Sequence, residues 1–162
     1  MFITTAVSGT GLSGNNFDGI GVTPDISLEV STFDFNRAMI ETCRDLIKKA
    51  NDKKLKNAAK WLSFEYESLA NPGIADDGYI EAFLGQYEGN RVVLKENGHV
   101  YFDNGSVKRK LTYMNNGVFS VEGRKDYRLL FPIDKKPVTY HKVLWYDDTE
   151  DKVKKLNNGA GK

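Results

Sequence analysis

The chain is poor in the residues that most often announce chemistry. It has one cysteine, Cys43, in 162 residues, so no internal disulfide and no cysteine-based metal site can form. It has two histidines, His99 and His141, and they form no His-x-x-x-His pair. No Gly-x-Ser-x-Gly elbow occurs. The glycine-rich stretch Ser8–Asn16 lacks the Gly-Lys-[Ser/Thr] ending of a phosphate loop and has no helix after it, so it reads as a turn. Charge of one sign is also missing: 23 Lys and Arg against 22 Asp and Glu leave a net +1, and no basic stripe points to a nucleic acid. No apolar run approaches the roughly 20 residues of a membrane span. The opening Met1–Val7 is too short, and lacks the basic start, for an export signal.

Aromatic residues are plentiful instead: nine Phe, eight Tyr and two Trp favour β-rich packing in part of the chain. The length suits one ordinary domain or two small ones.

Residues 2–7 read as an apolar strand and 26–30 as a short alternating one. Between them lies Gly19-Ile-Gly-Val-Thr-Pro-Asp25. Its two glycines allow positive φ or close backbone approach, and Pro24 holds Thr23 extended. Residues 33–50 space Phe35, Met39, Cys43, Leu46 and Ile47 as an amphipathic helix, with Lys48 and Lys49 at its end. On that stripe Cys43 reads as a buried, inert thiol. A second helix over 53–70, capped by Asn51 or Asp52 and ended by Asn71-Pro-Gly73, carries Leu55, Ala58, Ala59, Leu62, Tyr66 and Leu69 on its expected core stripe, widened by Trp61 and Phe64. The short gap makes the two a hairpin.

After a linker at 74–78 the pattern changes to short strands at 83–87, 91–95, 99–103, 108–114, 118–122, 127–133 and 139–146. Turn signals separate them, with Asn-Gly at 97–98 and 116–117, where a type I′ turn needs two positive φ angles. Tyr127, Leu129, Phe131 and Ile133 alternate onto one inner face, as do Val100 with Phe102 and Leu111 with Tyr113. Both histidines are expected on strands, at the surface or half buried. The acidic pairs Asp76-Asp77 and Asp147-Asp148 read as solvated turns rather than cation sites.

The expected fold class is therefore α+β: a short N-terminal strand segment, a two-helix hairpin, then an antiparallel β-meander closing into a small barrel or a strongly twisted sheet. The segments are 1–31, the hairpin at 32–73, the β-module at 79–148 and a polar tail at 149–162. The alternative reading is a stand-alone small β-barrel binding domain for an apolar ligand or peptide; an interior filled by Phe102, Leu111 and Phe131 is expected to exclude a small molecule from the barrel mouth.

Two stretches resemble a known family. Phe17-Asp-Gly-Ile-Gly-Val-Thr-Pro-Asp-Ile26 resembles the run near the end of the catalytic domain in S41-type (carboxyl-terminal-processing, tail-specific) serine peptidases. Leu84-Gly-Gln-Tyr-Glu-Gly89, Gly98-His-Val-Tyr-Phe102 and Arg128-Leu-Leu-Phe131, behind a helix containing Lys56-Asn-Ala-Ala-Lys-Trp61, resemble a β-module appended to bacterial serine hydrolases. The module match departs in detail: Phe83 or Leu84 stands in the place of the first Tyr and Val100 in that of a Leu.

The resemblance implies the non-catalytic C-terminal region of a secreted peptidase, serving positioning, substrate capture or association. The serine and its base precede the Gly-x-Gly-Val-x-Pro-Asp run in that family. No catalytic, cofactor or metal residue is therefore carried over, and Gly19, Gly21, Val22, Pro24 and Asp25 are structural. The implied partner is an upstream peptidase domain, with self-association through strand 2–7 as a further expectation and no nucleic acid or membrane span. The implied location is periplasmic or cell-surface. Hydrolysis by this chain alone is not expected.

Overall fold

A computed structural model describes residues 35–156. Strands 2–7 and 26–30, the Gly19–Asp25 run and the expected pairing of strand 2–7 lie outside the described residues. Helix α1 spans Phe35–Lys49 and α2 spans Lys53–Ala70. Asp52 starts α2 by accepting a hydrogen bond from the Lys54 amide at 2.9 Å. The two helices pack against each other, as their short link dictates.

A third helix, α3, runs over Asp77–Phe83, where the sequence pattern suggested a linker and the start of a strand. Asp76 decides this: its carboxylate accepts from the Tyr79 amide at 2.8 Å and opens the helix at the expected turn. The first strand, β1, is accordingly short, Gly85–Tyr87. The meander continues as β2 (Arg91–Glu96), β3 (His99–Asp103), β4 (Lys108–Asn115), β5 (Val118–Val121), β6 (Tyr127–Leu130), β7 (Tyr140–Trp145) and β8 (Glu150–Lys154). All neighbours are antiparallel, in the order β1 to β8.

Residues 149–162, expected as a polar tail, thus supply β8. The strand was hidden because Glu150-Asp-Lys-Val-Lys154 sends one residue, Val153, into the core. Just past its end the sheet nearly closes: Lys155 bridges Tyr87, the Glu88 amide donates to Lys154 O, and the Leu156 amide donates to Gln86 O. An edge strand that finds a partner no longer offers unpaired backbone groups.

The interior is filled. Tyr87, Val93, Phe119, Leu129 and Phe131 are essentially inaccessible, joined by Phe102 and Leu111. Ile133, expected inside with Tyr127, Leu129 and Phe131, is exposed, because β6 ends at Leu130 and the alternation stops soon after. Helix α3 contributes Tyr79 and Phe83 to the same core: the Phe83 and Phe131 rings stack at 4.2 Å. The Tyr79 hydroxyl donates to Phe131 O at 2.7 Å, and the Tyr87 hydroxyl to Phe83 O at 2.5 Å. Burial raises the pKa of both phenols, so each stays a donor.

At Asn116-Gly117, φ is +52° and +79°. Gly117 also sits so close to Phe131 that any Cβ would overlap its carbonyl oxygen. Only glycine satisfies both conditions.

Candidate functional site

The most informative surface is where α2 crosses the barrel. Arg128 points outward from β6, opposite Tyr127 and Leu129, yet is 5% exposed because α2 covers it. Its guanidinium lies 3.9 Å from the Trp61 ring centre and 5.4 Å from that of Phe64. It donates to Trp61 O at 3.1 Å and Glu65 Oε2 at 3.3 Å. Burial lowers its pKa while Glu65 opposes the shift, and an arginine in such company remains charged at neutral pH. Asn57 completes the seam by donating to Asp147 O at 2.9 Å.

This seam changes which face of α2 is inside. Asn57, Ala59, Ser63 and Ser68 are buried, whereas Leu55, Leu62 and Leu69 are 43%, 39% and 59% exposed. Ala59 and Ser63 fall on the side of α2 that faces α1, with Tyr66 and Glu67, whereas Asn57, Trp61 and Phe64 meet the barrel. The leucines recur every seven residues, so they fall within about 40° of one another on the free side. Of the expected core stripe, Leu55, Leu62 and Leu69 are outward, Ala58 and Tyr66 are half-buried and Ala59 is buried, while Trp61 and Phe64 at its edge pack on Arg128. On α1, Ile40 and Cys43 are buried while Phe35 and Leu46 are open. A groove of about 660 Å³ runs from Leu69 and Trp61 to Met114 and Arg124.

On the other side of Arg128 lies a cleft of about 220 Å³, walled by Trp61 and Phe64 of α2 and Leu144, Trp145 and Tyr146 of the β7–β8 hairpin. Trp61 meets Tyr146 edge-on at 5.9 Å. A shallower depression of about 320 Å³ shares Trp145, Tyr146 and Thr149 and is edged by Asp126, Asp147 and Asp151. Sequence reasoning missed this surface. Its signal was the run Trp145-Tyr-Asp-Asp-Thr-Glu-Asp151, two aromatics leading into acids.

His99 stays exposed on β3, as expected. His141 does not: it is fully buried in the barrel, 4.7 Å from the Tyr87 ring and 5.4 Å from that of Phe131. Among the described residues no group hydrogen-bonds either of its ring nitrogens. Burial, with a smaller contribution from Arg91, lowers its pKa from 6.5 to about 4, so it is neutral at pH 7. Cys43 is buried and its thiol pKa raised by that burial, as an inert core thiol requires.

The acidic pairs are engaged in local structure. Asp76 caps α3 and Asp77 pairs with Lys95 at 2.9 Å. Asp147 accepts from the Thr149 amide at 3.1 Å and its hydroxyl at 2.5 Å, and Asp148 lies 3.8 Å from Lys60. Among the described residues no three His, Cys, Asp or Glu side chains converge in an arrangement that could hold a metal ion. Among them also, no helix is long and apolar enough to cross a membrane.

The architecture defines a small antiparallel up-and-down barrel, nearly closed, with a helical hairpin on its flank. Comparison with known protein families, with curated proteins and with solved structures finds no match.

Proposed function

We propose that the chain is the non-catalytic C-terminal region of an S41-like serine peptidase, exported with its parent, and that residues 35–156 associate with and position the catalytic domain. The observation that carries this reading is the outward leucine stripe. Leu55, Leu62 and Leu69 lie exposed along one side of a helix that buries Asn57, Ala59, Ser63 and Ser68 at other positions around its axis. Exposed leucines aligned along one helix suit docking against an apolar partner surface.

Two further features support it. The Trp-bearing helix and the Arg-Leu-Leu-Phe strand of the resemblance meet through Trp61 and Arg128. The packed barrel interior turns attention from an internal ligand to the outer surface.

The deciding experiment joins genetics to binding. An in-frame peptidase core encoded upstream of Met1, whose isolated catalytic domain binds this chain but not a Leu55→Ser/Leu62→Ser/Leu69→Ser variant, is the expected result. A stop codon directly upstream with no peptidase core overturns the reading. So does peptide hydrolysis by the purified chain that a serine-directed reagent abolishes.

A further inference from the structure

The β7–β8 hairpin presents two neighbouring depressions divided by Trp145 and Tyr146, one apolar and one acidic. The apolar cleft beneath Trp61, at about 220 Å³, is smaller than the several hundred Å³ typical of a whole small-molecule site. It suits one bulky apolar side chain. The acidic depression is edged by Asp126, Asp147 and Asp151.

The partners of these carboxylates decide their charge. Asp126 is neutralised by Arg124, which donates to it at 2.8 and 2.5 Å. Asp147 and Asp151 are held by neutral donors instead: Thr149 for the first, and the Trp145 indole N–H at 2.8 Å for the second. The Thr149 bonds keep Asp147 below the usual carboxylate range, with Lys53 a minor contributor. Lys60 and Lys142 are taken up by Asp148 and Glu150 on the same hairpin, and Arg128 by Glu65. Asp151 is therefore fixed at the edge of the Trp145 ring and Asp147 lines the same depression beside Tyr146, and among the described residues no cation is directly bound to either carboxylate. Carboxylates beside aromatic faces form a receptor for an alkyl-ammonium or guanidinium group.

We propose that this hairpin face captures an extended peptide segment in which a Lys or Arg adjoins a bulky apolar residue. The cation lies against Trp145 and Tyr146 with its head at Asp147 and Asp151. The apolar neighbour enters the cleft between Trp61 and Leu144. The proposal rests on the described surface alone and holds whether or not a peptidase domain precedes this chain.

The test is an NMR titration of the full chain, following the Trp61 and Trp145 indole signals. The probes are capped Gly-Leu-Arg-Leu-Gly peptide, its Arg-to-Glu analogue and its Leu-to-Gly analogue. The expected result is saturable movement of both indole signals with the first peptide only, weakening as salt is raised. The D147N/D151N variant keeps an acceptor oxygen for Thr149 and Trp145, and is expected to weaken binding roughly three- to tenfold. Equal binding of the Glu analogue, no movement with the Arg peptide, or movement with a neutral oligosaccharide in its place overturns the proposal. Salt and analogue comparisons use the native chain, so the outcome does not depend on the variant's folding.

Discussion

Trp61 engages Arg128 twice, through its ring at 3.9 Å and through its own carbonyl oxygen at 3.1 Å. One helical residue thus supplies both the face and the acceptor that let a guanidinium lie buried between helix and barrel. We expect Arg128→Ala to destabilise the protein by about 2–3 kcal/mol, since packing, a charged hydrogen bond and the ring contact are lost together. A double-mutant cycle with Trp61→Ala, measured by urea unfolding, should give a coupling of about 1–2 kcal/mol. A coupling near zero would show that α2 is held on the barrel by other contacts.

His141 makes stability depend on pH in a defined window. Its pKa is depressed in the folded state to about 4, from 6.5. Below pH 6.5 the unfolded chain therefore takes up a proton that the folded chain refuses. The stabilisation is complete above that pH, is lost as pH falls towards 4, and levels off below. The loss is about 1.4 kcal/mol per pH unit and about 3 kcal/mol in all. His141→Leu should remove this component, and at pH 7 should be as stable as the parent or more so, since two unpartnered buried nitrogens disappear. Urea midpoints from pH 4 to 8 check it; parallel curves for the two proteins would refute it.

Glycines at two Asn-Gly turns should respond differently to alanine. Gly98 has φ +76° and open space, among the described residues, where a methyl group would stand. Gly117 has φ +79°, and a methyl group there would overlap the Phe131 carbonyl. Gly98→Ala should cost about 1 kcal/mol, from backbone strain alone. Gly117→Ala should cost about 3 kcal/mol, because Phe131 must also move. Thermal unfolding of the pair tests the difference.

The face of α2 can be checked by opposite substitutions. Leu62→Ser lies on the exposed side and should cost under about 1 kcal/mol. Ser63→Leu forces bulk into the close helix approach and should cost about 1–3 kcal/mol. The reverse order, read from urea midpoints, would mean that the leucines, not the small residues, face inward.

Truncation separates strand from tail. A chain ending at Leu156 should unfold as cooperatively as the full chain. One ending at Asp148 loses β8 and the bridge from Lys155 to Tyr87, and should lose cooperative unfolding and near-ultraviolet dichroism.

Among the described residues the sequence by itself determined two of the three helices, seven of the eight strands and most turns, because these are local matters. Apolar spacing sets the period, Asp52 caps α2, and Asn-Gly at 97–98 and 116–117 sets positive φ. It also determined that Cys43 would be buried. Tertiary structure decided the rest. It recruited the polar β8, since backbone pairing to β7 and the Tyr87 bridge needs no apolar alternation. It made α3 from an Asp76 cap whose helix is held by Tyr79 and Phe83 in a distant core. It drew His141 fully inside: alternation puts it on the face of Val143, but only the closed core around Tyr87 and Phe131 makes that face inaccessible. Above all it chose the inward face of α2: the leucine stripe defines an apolar side, but the contacts of Trp61 and Phe64 with Arg128 and of Asn57 with Asp147 determine which side meets the barrel.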